Sequence, residues 1–150
     1  MRETDVSVRR YPKRDALRSV FTLDFGKSLI TKFAYYVHEH VVWRREIHLK
    51  GTARIHPSAS IRNARNVYLG HNSHINHLCC VWAGESSTIR LGDNLLMGPG
   101  VMIFAGNHGL SRDRPMTIQE LTERDIVVGD DVWLGAGVVL TGGEIGRAHV

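Results

Sequence analysis

A spacing of six residues between aliphatic side chains dominates this chain after Lys50. The positions at this spacing form four runs, which are Ile55 and Ile61; Leu69, Ile75 and Val81; Leu91, Met97 and Ile103; and Val128, Leu134 and Leu140. Because six is not a multiple of the 3.6 residues in a helical turn, these residues cannot share one face of an α-helix. The spacing indicates an all-β solenoid of short parallel strands with the aliphatic side chains stacked inward. A β-sandwich, the alternative, does not usually hold so strict a register.

Turn-forming residues separate the aliphatic positions. Of the 15 glycines, 13 follow residue 65, and Asn and Asp accompany them in segments such as "LGDNLL" and "VGDDVW". These residue types tolerate a positive φ, so we expect them at the corners of the solenoid. The period slips by two residues near Asn66 to Tyr68 and fails between Ile103 and Val128. The second failure predicts one loop, at about 105–125, that leaves the solenoid.

The segment before the repeats, residues 1–50, is basic and is predicted to contain one helix. Residues 1–65 hold 14 Lys and Arg against 6 Asp and Glu, whereas residues 66–150 hold 5 against 9. Apolar residues at helical spacing predict an amphipathic helix over about 26–45, and these are Leu29, Ile30, Phe33, Ala34, Val37 and Val41. We interpret it as a helix that packs on the domain and covers the first coil. The alternative is a helix on a membrane surface that uses Lys32, Arg44 and Arg45.

The remaining composition bears on the partners and the compartment. The basic segment has neither an aromatic stacking motif nor zinc-finger spacing, so we expect no nucleic-acid partner. The first residues, "MRETDVSVRRYPKRD", lack the apolar core of a signal peptide, and no apolar stretch reaches the length of a membrane span, so we expect a cytoplasmic protein. Cys79 and Cys80 are adjacent and so are poor candidates for a mutual disulfide, which fits a reducing compartment. We interpret both as packing residues; the alternative is an acyl-carrying thiol.

The repeats, the excursion "NHGLSRDRP" and the resumption "IVVGDDVWLGAGVVL" resemble the hexapeptide-repeat acyltransferases over about residues 52–142. The similarity is greatest to the sugar and polysaccharide O-acetyltransferases that are similar to maltose acetyltransferase. It implies a left-handed parallel β-helix with three hexads per coil, here at 51–143, with an N-terminal helix and one extruded loop. It also implies a homotrimer with active sites between neighbouring subunits, and acetyl-CoA lying along a groove as the acyl donor.

The resemblance gives His108, in "FAGNHGL", the role of general base. A sugar hydroxyl is a poor nucleophile near neutral pH, so a neutral imidazole must take its proton as the oxygen attacks the thioester carbonyl. A backbone N–H of a glycine-rich turn would stabilise the oxyanion. The CoA thiolate then leaves without help from a metal, so no metal is expected.

Four further site residues follow from the resemblance. Asn76, in "HIN", matches an asparagine that lines the acceptor pocket, and Trp133 matches a tryptophan near the CoA groove. Gly135 and Ala136 match positions where the backbone contacts the pantetheine arm. Each also has a structural interpretation: Asn76 as a corner residue, Trp133 as packing against the next subunit, and the glycine as a turn.

Two other functions stay open. Some left-handed β-helices are carbonic anhydrases with three histidines on zinc, and His71, His74 and His77 are regularly spaced here. Side chains that are six residues apart, such as those of His71 and His77, should point away from each other on adjacent faces. His56 and His74 are eighteen residues apart and would stack on successive coils, but the two-residue slip near Asn66 to Tyr68 removes that register. The other alternative is an inactive β-helix that acts as an assembly scaffold. The acceptor itself is not identifiable from these residues, although a lipid-linked or nucleotide-linked glycan of a polysaccharide pathway is the more attractive one, and that acceptor would place the protein at the inner face of the membrane.

The last seven residues, Glu144 to Val150, do not continue the repeat. Family members normally continue past the "VWLGAG" coil with further hexads, and "EIGRAHV" can be encoded by a common sequencing-adapter sequence. We therefore expect the natural protein to continue after Gly142 or Gly143, with residues 144–150 a non-native tail.

Overall fold

The computed structural model describes residues 17–145, and these divide into two compact units with the boundary between Tyr36 and Val37. The helix α1 (Leu23–His40) begins in the first unit and ends in the second. It starts three residues before the expected position because the Thr22 hydroxyl accepts a hydrogen bond from the Phe25 N–H, as an N-cap does. A 3₁₀-helix, Val42–Arg45, follows where the sequence predicts more α-helix.

Fifteen short strands follow α1 in the part of the chain that the structure describes. They are β1 (His48–Leu49), β2 (Arg54–Ile55), β3 (Ser60–Arg62), β4 (Val67–Leu69), β5 (His74–Ile75), β6 (Cys80–Trp82), β7 (Ile89–Leu91), β8 (Leu96–Met97), β9 (Met102–Phe104), β10 (Gly106–His108), β11 (Leu121–Glu123), β12 (Ile126–Val128), β13 (Trp133–Leu134), β14 (Val139–Thr141) and β15 (Gly143–Ile145). All but β10 and β11 belong to three parallel sheets.

Each sheet is one face of the solenoid. Face A contains β1, β4, β7, β12 and β15; face B contains β2, β5, β8 and β13; and face C contains β3, β6, β9 and β14. The chain visits the faces in the order A, B, C in every coil, and each strand pairs with the strand one coil before it. The predicted parallel solenoid, with one helix before it and one segment extruded from it, is therefore confirmed.

The core of the solenoid is the stack of residues that the six-residue spacing identifies. Nine of those eleven aliphatic side chains are buried, and the other two, Ile55 and Leu140, pack against the buried cluster. The register explains the stack, because Ile61, Val81, Ile103 and Leu140 are paired in turn on face C. At about 25 cal/mol per Å² of buried apolar surface, this burial is the main favourable term in folding.

The end of α1 contacts the first coil. Trp43 in the 3₁₀-helix is buried at 3% exposure, and Glu39 in the last turn of α1 is buried at 6%. A ring nitrogen of His40 lies 3.1 Å from the Ala59 carbonyl oxygen. Residues 37–45 thus pack on the β-helix through both apolar and polar contacts.

The corners of the prism differ in length. The eight connections from face A to B and from face B to C are all four residues long. From face C to face A the connections contain four, six, twenty-one and then one residue, at 63–66, 83–88, 105–125 and 142. All the long insertions therefore lie at one corner, which we call the C–A corner.

Asn and Asp occupy the left-handed positions at the corner between faces A and B, as expected. Asn72, Asn94 and Asp131 have φ values of 54°, 56° and 56°. Their side chains form a ladder, since the amide of Asn72 donates to Asn94 and the amide of Asn94 donates to Asp131, both at 3.0 Å. At the corner between faces B and C, Leu78 has a φ of 56° where Gly100 and Gly137 have φ values of 68° and 70°.

The segment predicted as a non-native tail lies partly outside the described residues. Residues 143–145 form β15, in which Glu144 pairs with Val127 and Ile145 pairs with Val128. Residues 146–150 are not described.

Candidate active site

A two-stranded hairpin leaves the β-helix at the C–A corner. Its strands, β10 and β11, pair antiparallel, with Gly106 opposite Glu123 and His108 opposite Leu121. The six-residue period fails here because these residues pair with each other instead of extending the three faces. His108 is the last residue of β10 and is exposed. The residue predicted as the general base therefore lies on the extruded element.

Glu123 fixes the base of this hairpin. Its carboxylate accepts hydrogen bonds from the backbone N–H groups of Glu85 at 3.1 Å and Ser86 at 2.7 Å, and from the Ser86 hydroxyl at 2.6 Å. The Ser86 bonds, which favour the charged form, hold the pKa of Glu123 below its ordinary value. A Cβ at Gly84 would overlap this carboxylate, so a larger residue there would displace the Glu123 side chain from its present position. The hairpin is thus attached to the connection one coil earlier.

A cleft of about 710 Å³ lies beside the hairpin. Its lining includes Arg62, Trp82, Phe104, His108, Leu121 and Glu123. Small-molecule sites typically have volumes of about 300–1,000 Å³ and combine apolar walls with a few polar groups. The cleft has both, so it is the candidate active site.

The floor of the cleft is a row of side chains on face C. Arg62, Trp82 and Phe104 are in register on β3, β6 and β9. The Arg62 guanidinium lies 3.8 Å from the centroid of the Trp82 ring, and the Trp82 and Phe104 rings pack edge to face with centroids 5.1 Å apart. Both arrangements are favourable for aromatic rings and restrict their rotamers. The floor is therefore a preformed aromatic surface.

Glu39 supports this row from the end of α1. Its carboxylate accepts hydrogen bonds from the Ser60 hydroxyl at 2.7 Å and from Arg62 at 3.0 Å. The Ser60 hydroxyl oxygen in turn accepts a hydrogen bond from the Trp82 indole at 3.0 Å. Burial raises the pKa of Glu39, but the bonds from Ser60 and Arg62 outweigh burial and lower the pKa below 4.5. Glu39 is therefore a buried anion that balances Arg62 and, through Ser60, orients Trp82.

The other four predicted site residues lie elsewhere on the prism. Asn76 is at the corner between faces B and C, where its side-chain oxygen accepts a hydrogen bond from the His77 N–H at 2.8 Å. Trp133 lies on β13, is 71% exposed and is paired with Leu96. Gly135 and Ala136 follow it at the next corner. Within residues 17–145, none of these four lines the His108 cleft.

The cysteines and histidines form no second reactive centre in the part of the chain that the structure describes. Cys79 and Cys80 are both free, and burial raises the pKa of both thiols, which disfavours the reactive thiolate. Between residues 17 and 145, no group of three or more His, Cys, Asp or Glu side chains is placed to hold a metal ion. This finding includes the regularly spaced His71, His74 and His77.

No helix among the described residues is both long and apolar enough to span a membrane.

Sequence reasoning does not identify Glu39, Trp82, Phe104 and Glu123. A signal exists for the two aromatic residues, because each directly follows an inward position of the six-residue spacing and must point outward. The interval of ten residues from Val81 to Leu91 also marks a lengthened connection. No comparable signal exists for the two glutamates, whose partners lie more than twenty residues away in sequence.

No family model matches the chain, but curated relatives match it in sequence. The galactoside O-acetyltransferase of Escherichia coli is 26% identical over 125 residues, which cover 79% of this chain and 60% of that protein. The protein YJL218W of Saccharomyces cerevisiae is 31% identical over 86 residues, which cover 57% of this chain and 42% of that protein. The chain thus spans about half the length of these relatives.

The solved structures that are similar in fold include two acetyltransferases. The hexapeptide-repeat acetyltransferase VCA0836 of Vibrio cholerae, solved with acetyl-CoA, has a TM-score of 0.57 and 25% identity, covering 67% of this chain and 54% of that chain. The maltose O-acetyltransferase of Clostridium difficile has a TM-score of 0.57 and 23% identity, covering 69% and 55%. Together with the three parallel faces, these similarities confirm the predicted left-handed β-helix.

Proposed function

Because this chain belongs to the hexapeptide-repeat acetyltransferases, we propose that it transfers the acetyl group of acetyl-CoA to a hydroxyl of a sugar or polysaccharide precursor. The observation that carries the proposal is the position of His108. This histidine is exposed on the extruded hairpin and lines a cleft whose floor is aromatic. Loops that project from a rigid scaffold are where catalytic groups usually lie.

In the proposed reaction, the neutral imidazole of His108 removes the proton of the acceptor hydroxyl. The oxygen attacks the thioester carbonyl of acetyl-CoA and forms a tetrahedral intermediate, whose oxyanion accepts a hydrogen bond from a backbone N–H. Collapse of the intermediate breaks the carbon–sulfur bond. The thiolate takes the proton back from the imidazolium, so the products are an acetyl ester and CoA, and no metal is required.

The aromatic floor supports a sugar as the acceptor. Trp82 and Phe104 present ring surfaces against which the C–H groups of a sugar ring can pack, and Arg62, Glu85 and Glu123 add polar groups. Apolar walls with a small number of placed polar groups fix the orientation of a small ligand. The sugars named in two similar proteins, a galactoside and maltose, make sugars the first acceptors to test.

A homotrimer would complete the site. We propose that each subunit contributes the four other predicted site residues to the His108 cleft of its neighbour. Asn76 and Trp133 would contact the acceptor. Trp133, Gly135 and Ala136 would bind acetyl-CoA. Exposed apolar side chains support such a contact, because Leu96 and Trp133 are paired in register at 48% and 71% exposure. The need for acetyl-CoA as donor and the two free cysteines favour the cytoplasm as the location. An acceptor linked to a lipid would place the protein at the inner face of the membrane.

Replacement of His108 by alanine tests the proposal. The variant should lose acetyl transfer by a factor of about 10² to 10⁴, the usual contribution of a general base, while its thermal melting is unchanged. Release of the CoA thiol in the presence of a sugar panel measures transfer, and the His71→Ala variant is the control, because His71 is exposed and outside the cleft. Unchanged turnover in His108→Ala would refute the assignment. A wild-type protein without transfer to any sugar would favour an assembly scaffold, and loss of activity with a chelator would favour a metal enzyme.

A further inference from the structure

The carboxylate of Glu39 is the buried end of a chain of contacts that leads to the floor of the His108 cleft. Its Oε2 accepts a hydrogen bond from the Ser60 hydroxyl at 2.7 Å, and the Ser60 oxygen accepts one from the Trp82 indole N–H at 3.0 Å. Glu39 is 6% exposed and lies outside the lining of the cleft, whereas Trp82 is part of that lining. Any effect of Glu39 on the contacts of a ligand in this cleft therefore passes through its neighbours.

The direction of these hydrogen bonds depends on the charge of Glu39. A charged carboxylate only accepts hydrogen bonds, so the one hydroxyl proton of Ser60 is donated to Glu39. The Ser60 oxygen is then left as an acceptor for the indole N–H of Trp82, which can only donate. An amide in place of the carboxylate donates as well as accepts, and so would not enforce this order. The charge on Glu39 thus fixes the position of the indole nitrogen.

The other oxygen of Glu39 holds the Trp82 ring itself. Oε1 accepts a hydrogen bond from Arg62 at 3.0 Å, and the guanidinium carbon of Arg62 lies 3.8 Å from the centroid of the Trp82 ring. The Phe104 ring packs edge to face with Trp82, with the centroids 5.1 Å apart. Because the indole nitrogen and the ring are held separately, the indole cannot rotate without breaking at least one of these favourable contacts.

We propose that Glu39 is a positioning residue of the acceptor site, which sets the affinity for the sugar by fixing the orientation of the Trp82 ring. This inference rests on the proposed function, because it takes Trp82 as part of the surface against which the sugar packs. A ring that is already oriented loses less side-chain entropy when a ligand binds, so the contribution is to affinity and not to the chemical step. His108 lies on the hairpin, which is held by Glu123 and not by Glu39.

Steady-state kinetics of Glu39→Gln tests the inference with a sugar that the wild type acetylates. We expect the KM for that sugar to rise about 3- to 10-fold, the effect of one hydrogen bond, while kcat and the KM for acetyl-CoA are unchanged. Glu46→Gln is the matched control, since it removes the same charge from a side chain that pairs with Arg65 and lies outside the lining of the His108 cleft. An unchanged KM for the sugar in Glu39→Gln, or an equal rise in Glu46→Gln, overturns the inference.

Ser60→Ala tests the route from Glu39 to Trp82, and it is informative even where Glu39→Gln fails to fold. It removes the hydroxyl between the two residues and keeps the ion pair of Glu39 with Arg62. We expect it to raise the KM for the sugar in the wild-type background. In the Trp82→Phe background, which has no indole N–H, Ser60→Ala should change that KM no further. An equal effect in both backgrounds would show that the route does not pass through Trp82 and would overturn the inference.

A spectroscopic measurement separates this inference from the proposed function. The chain has three tryptophans, and the ¹H–¹⁵N signal of the Trp82 indole is the one that Trp82→Phe removes. This signal should shift in Glu39→Gln and in Ser60→Ala but not in Glu46→Gln, whether or not any sugar is acetylated. Where transfer is absent, calorimetric titration of maltose and lactose decides. Weaker binding to Glu39→Gln than to the wild type supports the inference without the activity, whereas an unshifted indole signal, equal binding or no binding overturns it.

Discussion

The carboxylate of Glu39 links α1 to two successive coils, since its partner Ser60 also binds Trp82. We predict that Glu39→Gln lowers the free energy of unfolding by about 1–3 kcal/mol at pH 7, because it weakens charge-assisted bonds in a buried site. Urea denaturation measures the change. Glu46→Gln is the control, since the Glu46 side chain is 39% exposed, and an exposed pair with Arg65 contributes about 0–1 kcal/mol. An equal effect of both substitutions would contradict the prediction.

The same residue makes stability depend on pH in a defined direction. The pKa of Glu39 in the folded protein lies below 4.5, its ordinary value. Its contribution is therefore complete above pH 4.5 and is lost as the pH falls through the lower, folded pKa. The difference in stability between the wild type and Glu39→Gln should accordingly shrink as the pH falls below 4.5.

At the scale of elements, the hairpin of β10 and β11 depends on Glu123. We predict that Glu123→Ala lowers turnover about 10- to 100-fold, because loss of the bonds to Glu85 and Ser86 lets His108 move from its position. Turnover and hydrogen exchange of the hairpin amides measure the two effects. Glu120→Ala is the matched control, because this exposed glutamate precedes the same strand. A Glu123→Ala variant with wild-type turnover and unchanged hydrogen exchange in the hairpin would show that the bonds from Glu85 and Ser86 are not needed.

The elements differ in how far the sequence predicts them. The rows of inward-facing aliphatic side chains are predictable because each coil repeats the same local pattern, in which an aliphatic side chain lies between two turns. The loop at about 105–125 is also predictable from the failure of the period, but its two strands are not, because "GNH" and "LTE" carry no apolar alternation. The contact of Glu123 with Ser86 joins residues that are 37 positions apart, so no local pattern encodes it.

At the scale of the whole molecule, stability should vary along the solenoid axis. Ile55 and Ile75 are neighbours on face B, but Ile75 is fully buried between coils, whereas Ile55 is only partly buried on the first coil. We predict that Ile75→Ala lowers the free energy of unfolding by about 2–5 kcal/mol and that Ile55→Ala costs less than half as much, because fewer neighbours surround the lost atoms. Chemical denaturation of both variants checks the order, and equal losses would contradict it.

The unequal corners have a consequence for how such a protein can change. The connections at the C–A corner range from one to twenty-one residues, yet the strands on either side keep their pairing partners from one coil to the next. The exposed parts of the connections around the His108 cleft can therefore be lengthened, shortened or exchanged while the paired strands stay in place. Libraries confined to the exposed residues of 63–66, 83–88 and 105–125, which leave Ala64, Ala83 and Ala105 in the core, would explore new acceptors with little risk to folding.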